Sequence, residues 1–110
     1  MKNYLSEFIG TSFLLMIVVG SGIMGQNLSN DNSIILLANT VATGSGLIVL
    51  IWMMGSISGA HFNPAVSMIF YFKKQLSGKD FVCYSSSQIL GALCGTLLAN
   101  FMFGLELSLI

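Results

Sequence analysis

The stretch SISGAHFNPAVSMIFYF, Ser56 to Phe72, decides the fold of this chain. It begins with small residues, contains the only proline and the only histidine of the sequence, and then stays apolar for a short distance. That apolar part is about two helical turns long, whereas a helix needs about 20 apolar residues to cross ~30 Å of hydrocarbon. We therefore expect the segment to enter a membrane and return to the same side.

Longer apolar segments flank this stretch on both sides. The sequence is 55% hydrophobic and only 7% charged, whereas a soluble domain usually has about a quarter charged residues. So few charges cannot cover a surface that faces water. We predict an all-α membrane protein with three transmembrane helices and one re-entrant half-helix, at about residues 4–24, 34–54, 80–103 and 64–72 respectively.

Several functional classes are disfavoured by composition. The net charge is zero, and no basic run interleaves with aromatic residues, which argues against nucleic-acid binding. No nucleophile with its base, no pair of carboxylates and no metal-ligand cluster is visible, so we expect no enzyme activity, no cofactor and no metal site. His61 has no second potential metal ligand near it in the sequence. The two cysteines, Cys83 and Cys94, are expected to be core thiols.

The lysines predict the orientation, because positive charges in short loops mark the cytoplasmic side. The segment Gly25 to Ser33 between the first two spans has no lysine, and all four lysines lie on the other side: Lys2, Lys73, Lys74 and Lys79. We expect a multi-pass protein of the inner or plasma membrane with a cytoplasmic amino terminus. An alternative is that the first apolar run, which ends in small residues, is a secretory signal; Glu7 and the two later spans disfavour it.

Asn63 and Pro64 have the chemistry of a helix start. Asparagine is a preferred N-cap residue, and proline fits the first helical position. If the Asn63 side-chain oxygen caps the helix, its amide NH₂ remains free to donate, and the helix end adds a partial positive charge. Such a site suits water or a hydroxyl group and repels cations. The alternative is an ordinary turn that opens an ordinary helix.

Small residues at four-residue spacing predict close helix packing, since lipid provides no hydrophobic drive between helices. One such stripe lies on the third span, at Ser87, Gly91, Gly95 and Ala99. A second lies on the second span, at Ala38, Ala42 and Gly46. Trp52, near the cytoplasmic end of the second span, is expected to be an interfacial anchor.

The run SGAHFNPAVS, Ser58 to Ser67, resembles the first signature loop of the major intrinsic proteins, the aquaporin and glycerol-facilitator family. EFIGT at Glu7 to Thr11 resembles the first-helix motif of that family, and Gln88 with Gly91, Ala92 and Gly95 resembles its third helix. The resemblance implies a right-handed bundle of six spanning helices and two half-helices, built from two inverted repeats whose Asn-Pro-Ala turns meet at mid-membrane. Residues 1–110 correspond to the first repeat.

The resemblance also implies roles for single residues. Asn63 would donate to the solute, while Pro64 and Ala65 would contact the second turn. The carbonyls of Gly59, Ala60 and His61 would accept hydrogen bonds from the solute, and Thr43 would occupy one corner of the narrowest constriction. Glu7 would accept hydrogen bonds from the re-entrant backbone, or else extend to the headgroups. Gln88 would brace the loop, or else bridge two helices.

The runs VVGSGIM, Val18 to Met24, and LLANTVATG, Leu36 to Gly44, resemble a bacterial subgroup associated with uncharged metalloids such as arsenous acid. Many water-selective members have a bulky aromatic residue where this chain has Thr43, so a wider opening is implied. The implied partners are the lipid bilayer, a small uncharged solute, and a second channel half or a homo-oligomer, which in this family is a tetramer.

The chain departs from the family pattern because it has no second Asn-Pro-Ala and no arginine. One repeat cannot enclose a pore alone, and two copies would rebuild it only if one inserted upside down, which the lysines disfavour. Three hypotheses follow. The chain is half of a channel or a truncated product, a self-assembling half-channel of mixed orientation, or a non-conducting remnant or interaction protein in the membrane.

Overall fold

The computed structural model describes residues 1–104, which form four α-helices and no strand. These are α1 (Lys2–Leu28), α2 (Asn32–Ser58), α3 (Pro64–Phe72) and α4 (Gly78–Met102). The helices α1, α2 and α4 are long and apolar enough to cross a membrane, whereas α3 has only 9 residues. The predicted class, an all-α membrane protein with three spanning helices and one half-helix, is confirmed.

The long helices extend beyond their apolar runs, so the predicted connectors were too wide. The polar segment Gly25 to Ser33, expected to be a loop, is helical except at residues 29–31. Likewise α2 continues to Ser58, so the re-entrant loop begins at Gly59 rather than at Ser56. The apolar run marks the hydrocarbon thickness, while the helical hydrogen bonds continue into the polar interface until a cap ends them.

The helix α1 packs against both α2 and α4, and its contact with α4 depends on two glycines of the predicted stripe. A Cβ atom added at Gly91 would lie 2.5 Å from the Phe8 carbonyl oxygen, and one added at Gly95 would overlap the Ser12 carbonyl oxygen. Ala99 is buried and Ser87 is half-buried on the same side of α4. The backbones of α1 and α4 therefore approach as closely as this stripe predicts.

The second predicted stripe holds only in part. At Gly46 an added Cβ would lie 2.5 Å from Ile17 Cδ1, so α2 does approach α1 there. Ala38, however, is exposed, and the prediction is wrong at that position. The neighbouring Asn39 faces α1 instead, where its Nδ2 donates to the Val18 carbonyl at 2.8 Å and to Ser21 Oγ at 2.9 Å. These hydrogen bonds turn Asn39, and not Ala38, toward α1.

Most large apolar side chains of residues 1–104 face outward, as lipid contact requires. Trp52 is 85% exposed, and among the described residues the buried hydrophobic ones are few: Leu50, Phe62, Tyr84 and Ala99. Cys83 is half-buried but Cys94 is exposed, so the prediction of two core thiols is wrong for Cys94. The buried side of α4 is its line of small and polar residues, and Cys94 lies outside that line.

We predict that Gly95→Ala destabilises the protein and that Gly44→Ala does not. The new methyl group at position 95 would meet backbone atoms of α1, which cannot rotate away, whereas at position 44 it would meet nothing within 4 Å. Overpacking of this kind typically costs about 1–3 kcal/mol. Thermal unfolding of both variants in detergent measures the difference. Equal midpoints for the two variants would contradict the close contact between α1 and α4.

Candidate functional site

The loop between α2 and α3 has an unusual backbone. Gly59, Ala60 and Phe62 all have positive φ angles, of 90°, 53° and 55°. For residues other than glycine this left-handed conformation costs roughly 1–2 kcal/mol each, and it persists only where the surroundings fix it. Because the loop is not helical, its N–H groups need acceptors from elsewhere in the protein.

The carboxyl group of Glu7 on α1 accepts from two of these N–H groups, those of His61 and Phe62, while the Ala60 N–H donates to Ser58 Oγ at 3.3 Å. The Glu7 side chain is 0% exposed. Oε2 accepts from the His61 N–H at 3.2 Å and from Ser58 Oγ at 2.5 Å. Oε1 accepts from the Phe62 N–H at 2.8 Å and from Gln88 Nε2 at 2.7 Å. Glu7 is thus turned toward the loop and does not extend to the membrane surface.

Gln88 on α4 joins Glu7 to the first turns of α3. It is 1% exposed, and its Nε2 also donates to Ser67 Oγ at 3.0 Å. Ser67 is fully buried, and its hydroxyl lies 2.8 Å from His61 Nδ1. Gln88 therefore contacts both the acceptor of the loop and the half-helix that follows the loop. Its own Oε1 is buried without a hydrogen-bond partner among the described residues.

Three residues of this network were missed by the sequence reasoning. They are Ser58, Ser67 and Tyr84. The Tyr84 hydroxyl donates to the Ser58 backbone carbonyl at 2.7 Å. A sequence feature does exist for Tyr84, because it precedes Gln88 by four residues and so lies on the same face of α4. Ser58 and Ser67 are the first and last residues of the SGAHFNPAVS run, and each is a hydroxyl beside apolar neighbours. Their partners lie on other helices and are not visible in the sequence.

The Phe62 ring packs directly against a glycine of α1, Gly10. The Phe62 side chain is only 4% exposed, and any Cβ at Gly10 would overlap its ring. Glu7 and Gly10 are three residues apart, so they lie on one face of α1. On that face the Glu7 carboxyl group accepts the hydrogen bond from the Phe62 N–H, and one turn later Gly10 leaves space for the Phe62 ring. The EFIGT motif supplies both requirements of the strained loop.

The other side of the loop is exposed and polar. Asn63 caps α3 as its sequence predicts, with Oδ1 accepting from the Ala65 N–H at 2.7 Å, and Pro64 is the first helical residue. Asn63 Nδ2 has no acceptor within residues 1–104. The carbonyls of Gly59, Ala60 and His61 likewise accept no hydrogen bond from the described residues. A donor and a series of acceptors are therefore left available beside the amino-terminal end of α3.

Thr43 is not in contact with this loop. It is half-buried in the middle of α2, and its Oγ1 is buried without a hydrogen-bond partner in the described part of the chain. It lies 15 residues before Ser58, which is about 22 Å along the helix axis. The structure thus brings Glu7, His61 and Gln88 together and leaves Thr43 as a separate position along α2.

The comparison with known families agrees with this arrangement. Residues 1–107 match the family model described as major intrinsic protein. The chain belongs to the major intrinsic protein family. The loop with Asn63-Pro64-Ala65 and the buried Glu7 are therefore features of a major intrinsic protein, and the sequence resemblance is confirmed.

Similar proteins come from bacteria and plants. Aquaglyceroporin AqpS of Rhizobium meliloti (strain 1021) is 48% identical over 104 residues, which are 94% of this chain and 45% of that protein. The probable glycerol uptake facilitator protein of Thermotoga maritima is 37% identical, over 89% of this chain and 42% of that protein. Aquaporin NIP1-1 of Arabidopsis thaliana is 33% identical, over 96% of this chain and 35% of that protein. The chain therefore spans between a third and a half of the length of these relatives.

We predict that Glu7→Gln destabilises this major intrinsic protein by about 3 kcal/mol or more. The substitution places an NH₂ group where one oxygen now accepts two hydrogen bonds, so buried donors lose their acceptor, at about 1–3 kcal/mol each. Asp31→Asn is the matched control, because Asp31 accepts a single exposed hydrogen bond from the Ser33 N–H and asparagine caps a helix equally well.

Thermal unfolding in detergent measures both variants. Hydrogen exchange of the His61 and Phe62 amides gives a second, local readout that should accelerate only in Glu7→Gln. Unchanged protection of these two amides in Glu7→Gln would show that Glu7 does not hold the loop.

Proposed function

We propose that this chain forms the first half of a passive transmembrane channel for small uncharged solutes that carry hydroxyl groups. The observation that supports this is the exposed polar edge of the loop. Within residues 1–104 the Asn63 amide has no acceptor, and the carbonyls of Gly59, Ala60 and His61 accept no hydrogen bond. Non-helical backbone at membrane depth is tolerated only where protein buries it or water lines it, so this edge is the wall of a wet passage.

The chemistry of the edge selects hydroxylated and neutral molecules. A hydroxyl group both donates and accepts, so it can replace its hydration by the carbonyls of Gly59 to His61 and the amide of Asn63. A cation would approach the positive end of α3 and the Asn63 donor, which both repel it. Water, glycerol and neutral metalloid hydroxides such as arsenous acid meet these requirements.

The size limit is expected to be generous. Thr43 is a small side chain with a hydroxyl that has no partner in the described residues, so we propose that it leaves space and one more hydrogen-bonding group along α2. Two of the relatives are named as an aquaglyceroporin and a glycerol uptake facilitator, which supports glycerol-sized solutes. The open side of the half-bundle requires a second half, which Pro64 and Ala65 would contact at mid-membrane.

A chimaeric channel tests conduction directly. Residues 1–104 are fused to the second half of the Rhizobium meliloti relative, and glycerol uptake into liposomes is followed by light scattering. We expect faster uptake than in protein-free liposomes. A chimaera that is folded by size-exclusion chromatography but does not conduct would support the alternative of a non-conducting membrane protein.

In the same chimaera, we predict that Asn63→Asp lowers glycerol flux about tenfold while the protein stays folded, because about 1.4 kcal/mol of lost donation corresponds to that factor. Aspartate still caps α3 through its oxygen, but it has no N–H to offer to the solute. The matched control is Asn30→Asp in the exposed connector between α1 and α2, for which flux should not change. Wild-type flux in Asn63→Asp would argue against solute contact at this amide.

We predict that the chain inserts with one orientation, amino terminus in the cytoplasm. A single cysteine replaces Asn30 or Gln75 in a background where Cys83 and Cys94 are serine. In intact cells a membrane-impermeant maleimide should label the Asn30→Cys variant and spare Gln75→Cys until the cells are lysed. Labelling of both in intact cells would indicate mixed orientation and support self-assembly of inverted copies.

A further inference from the structure

The connector between α3 and α4 borders an open cleft of about 670 Å³ that the channel function does not use. The cleft lies at the ends of the two helices, where α3 ends and α4 begins. Its lining combines aromatic, aliphatic and polar side chains: Tyr71, Phe72, Lys74, Gln75, Leu76 and Ser77. A site with this mixture of groups suits a molecule that is partly charged and partly apolar.

The charge of this region is strongly positive. Lys73, Lys74 and Lys79 are exposed and lie within seven residues of each other. The nearest acid in the sequence, Asp80, accepts a hydrogen bond from the Tyr4 hydroxyl on α1 at 2.5 Å. This neutral donor leaves the carboxylate charge in place, so the three lysines exceed it by two positive charges. The first N–H groups of α4, at Gly78 and Lys79, have no acceptor among the described residues and add to the positive potential.

One wall of the cleft is apolar and continues along α3. Tyr71 stacks on Phe81 with 5.2 Å between ring centroids, which fixes the aromatic wall. Phe72 is 70% exposed and Ile69 is 51% exposed, one turn closer to the membrane interior. An apolar surface therefore leads from the lysines along the half-helix. A soluble anion would use the lysines but would leave this surface uncovered.

We propose that the cleft binds the headgroup of an anionic phospholipid, with the phosphate at Lys74, which lines the cleft, and an acyl chain along Phe72 and Ile69. The exposed Lys73 and Lys79, close to the lining residues in the chain, add positive charge around the phosphate. Basic groups at the cytoplasmic end of membrane helices attract anionic lipids, and this cleft supplies such groups together with an apolar path for the chain. This proposal depends on the proposed function in one respect, which is that the connector between α3 and α4 lies on the cytoplasmic side of the membrane.

Native mass spectrometry of the chain in detergent tests the site. Phosphatidylglycerol should bind more tightly than phosphatidylcholine of the same acyl composition. Each lysine near an anionic surface contributes about fivefold in affinity, so Lys74→Gln should weaken phosphatidylglycerol binding about fivefold and the triple variant K73Q/K74Q/K79Q about a hundredfold. Lys2→Gln removes a lysine of α1 that does not belong to the connector between α3 and α4; it is the matched control and should leave binding unchanged.

The triple variant K73R/K74R/K79R retains the charge and should retain lipid selectivity, which separates loss of charge from misfolding. Equal binding of the two lipids, or an unaffected K73Q/K74Q/K79Q variant, would overturn the proposal. Competition by free glycerol phosphate at the same concentration as the lipid would identify a soluble-anion site instead and would also overturn it. Lipid binding is measured without solute flux, so its failure is distinguishable from failure of the channel function.

Discussion

Two backbone N–H groups, those of His61 and Phe62, lie in a non-helical loop of a membrane protein and need acceptors that hydrocarbon cannot supply. One carboxyl group, that of Glu7, accepts from both at 3.2 Å and 2.8 Å. Because each unpaired group would cost several kcal/mol in lipid, the left-handed loop exists only while Glu7 is in place. The start of α3 and the exposed face of Asn63 follow from that loop, so the candidate pore edge depends on a residue of α1 that lies on the opposite, buried side of the loop.

Packing and hydrogen bonding depend on each other at this point. Gln88 reaches Glu7 at 2.7 Å only because α4 approaches α1 very closely. Three residues later, Gly91 lies against the Phe8 carbonyl, which directly follows Glu7 in the chain. A side chain at Gly91 would move the two helices apart and lengthen the Gln88 contact. The small residues therefore do more than join helices, since they set the distance across which the polar network forms.

The parts of the fold that follow from local chemistry were predictable from the sequence, and the parts that depend on tertiary contacts were not. The cap at Asn63 and the glycines facing α1 from α4 are local or periodic features, so a single sequence contains them. The carboxyl-terminal ends of α1 and α2 were predicted too early, because the length of an apolar run reflects the thickness of the hydrocarbon and not the full length of the helix. Ser67 and Tyr84 were missed because their partners are remote, and Ala38 was misplaced because Asn39 binds α1.

The length of α3 connects the two ends of the re-entrant segment. Its 9 residues correspond to about 14 Å at 1.5 Å per residue, which is close to half of the ~30 Å hydrocarbon thickness. If the lysines after Phe72 lie at the headgroups, the amino-terminal end at Asn63 must lie near the middle of the bilayer. A headgroup bound at the connector would therefore fix one end of this short helix, and the helix would in turn hold the Asn63 amide at the depth where two inverted halves of a channel can meet.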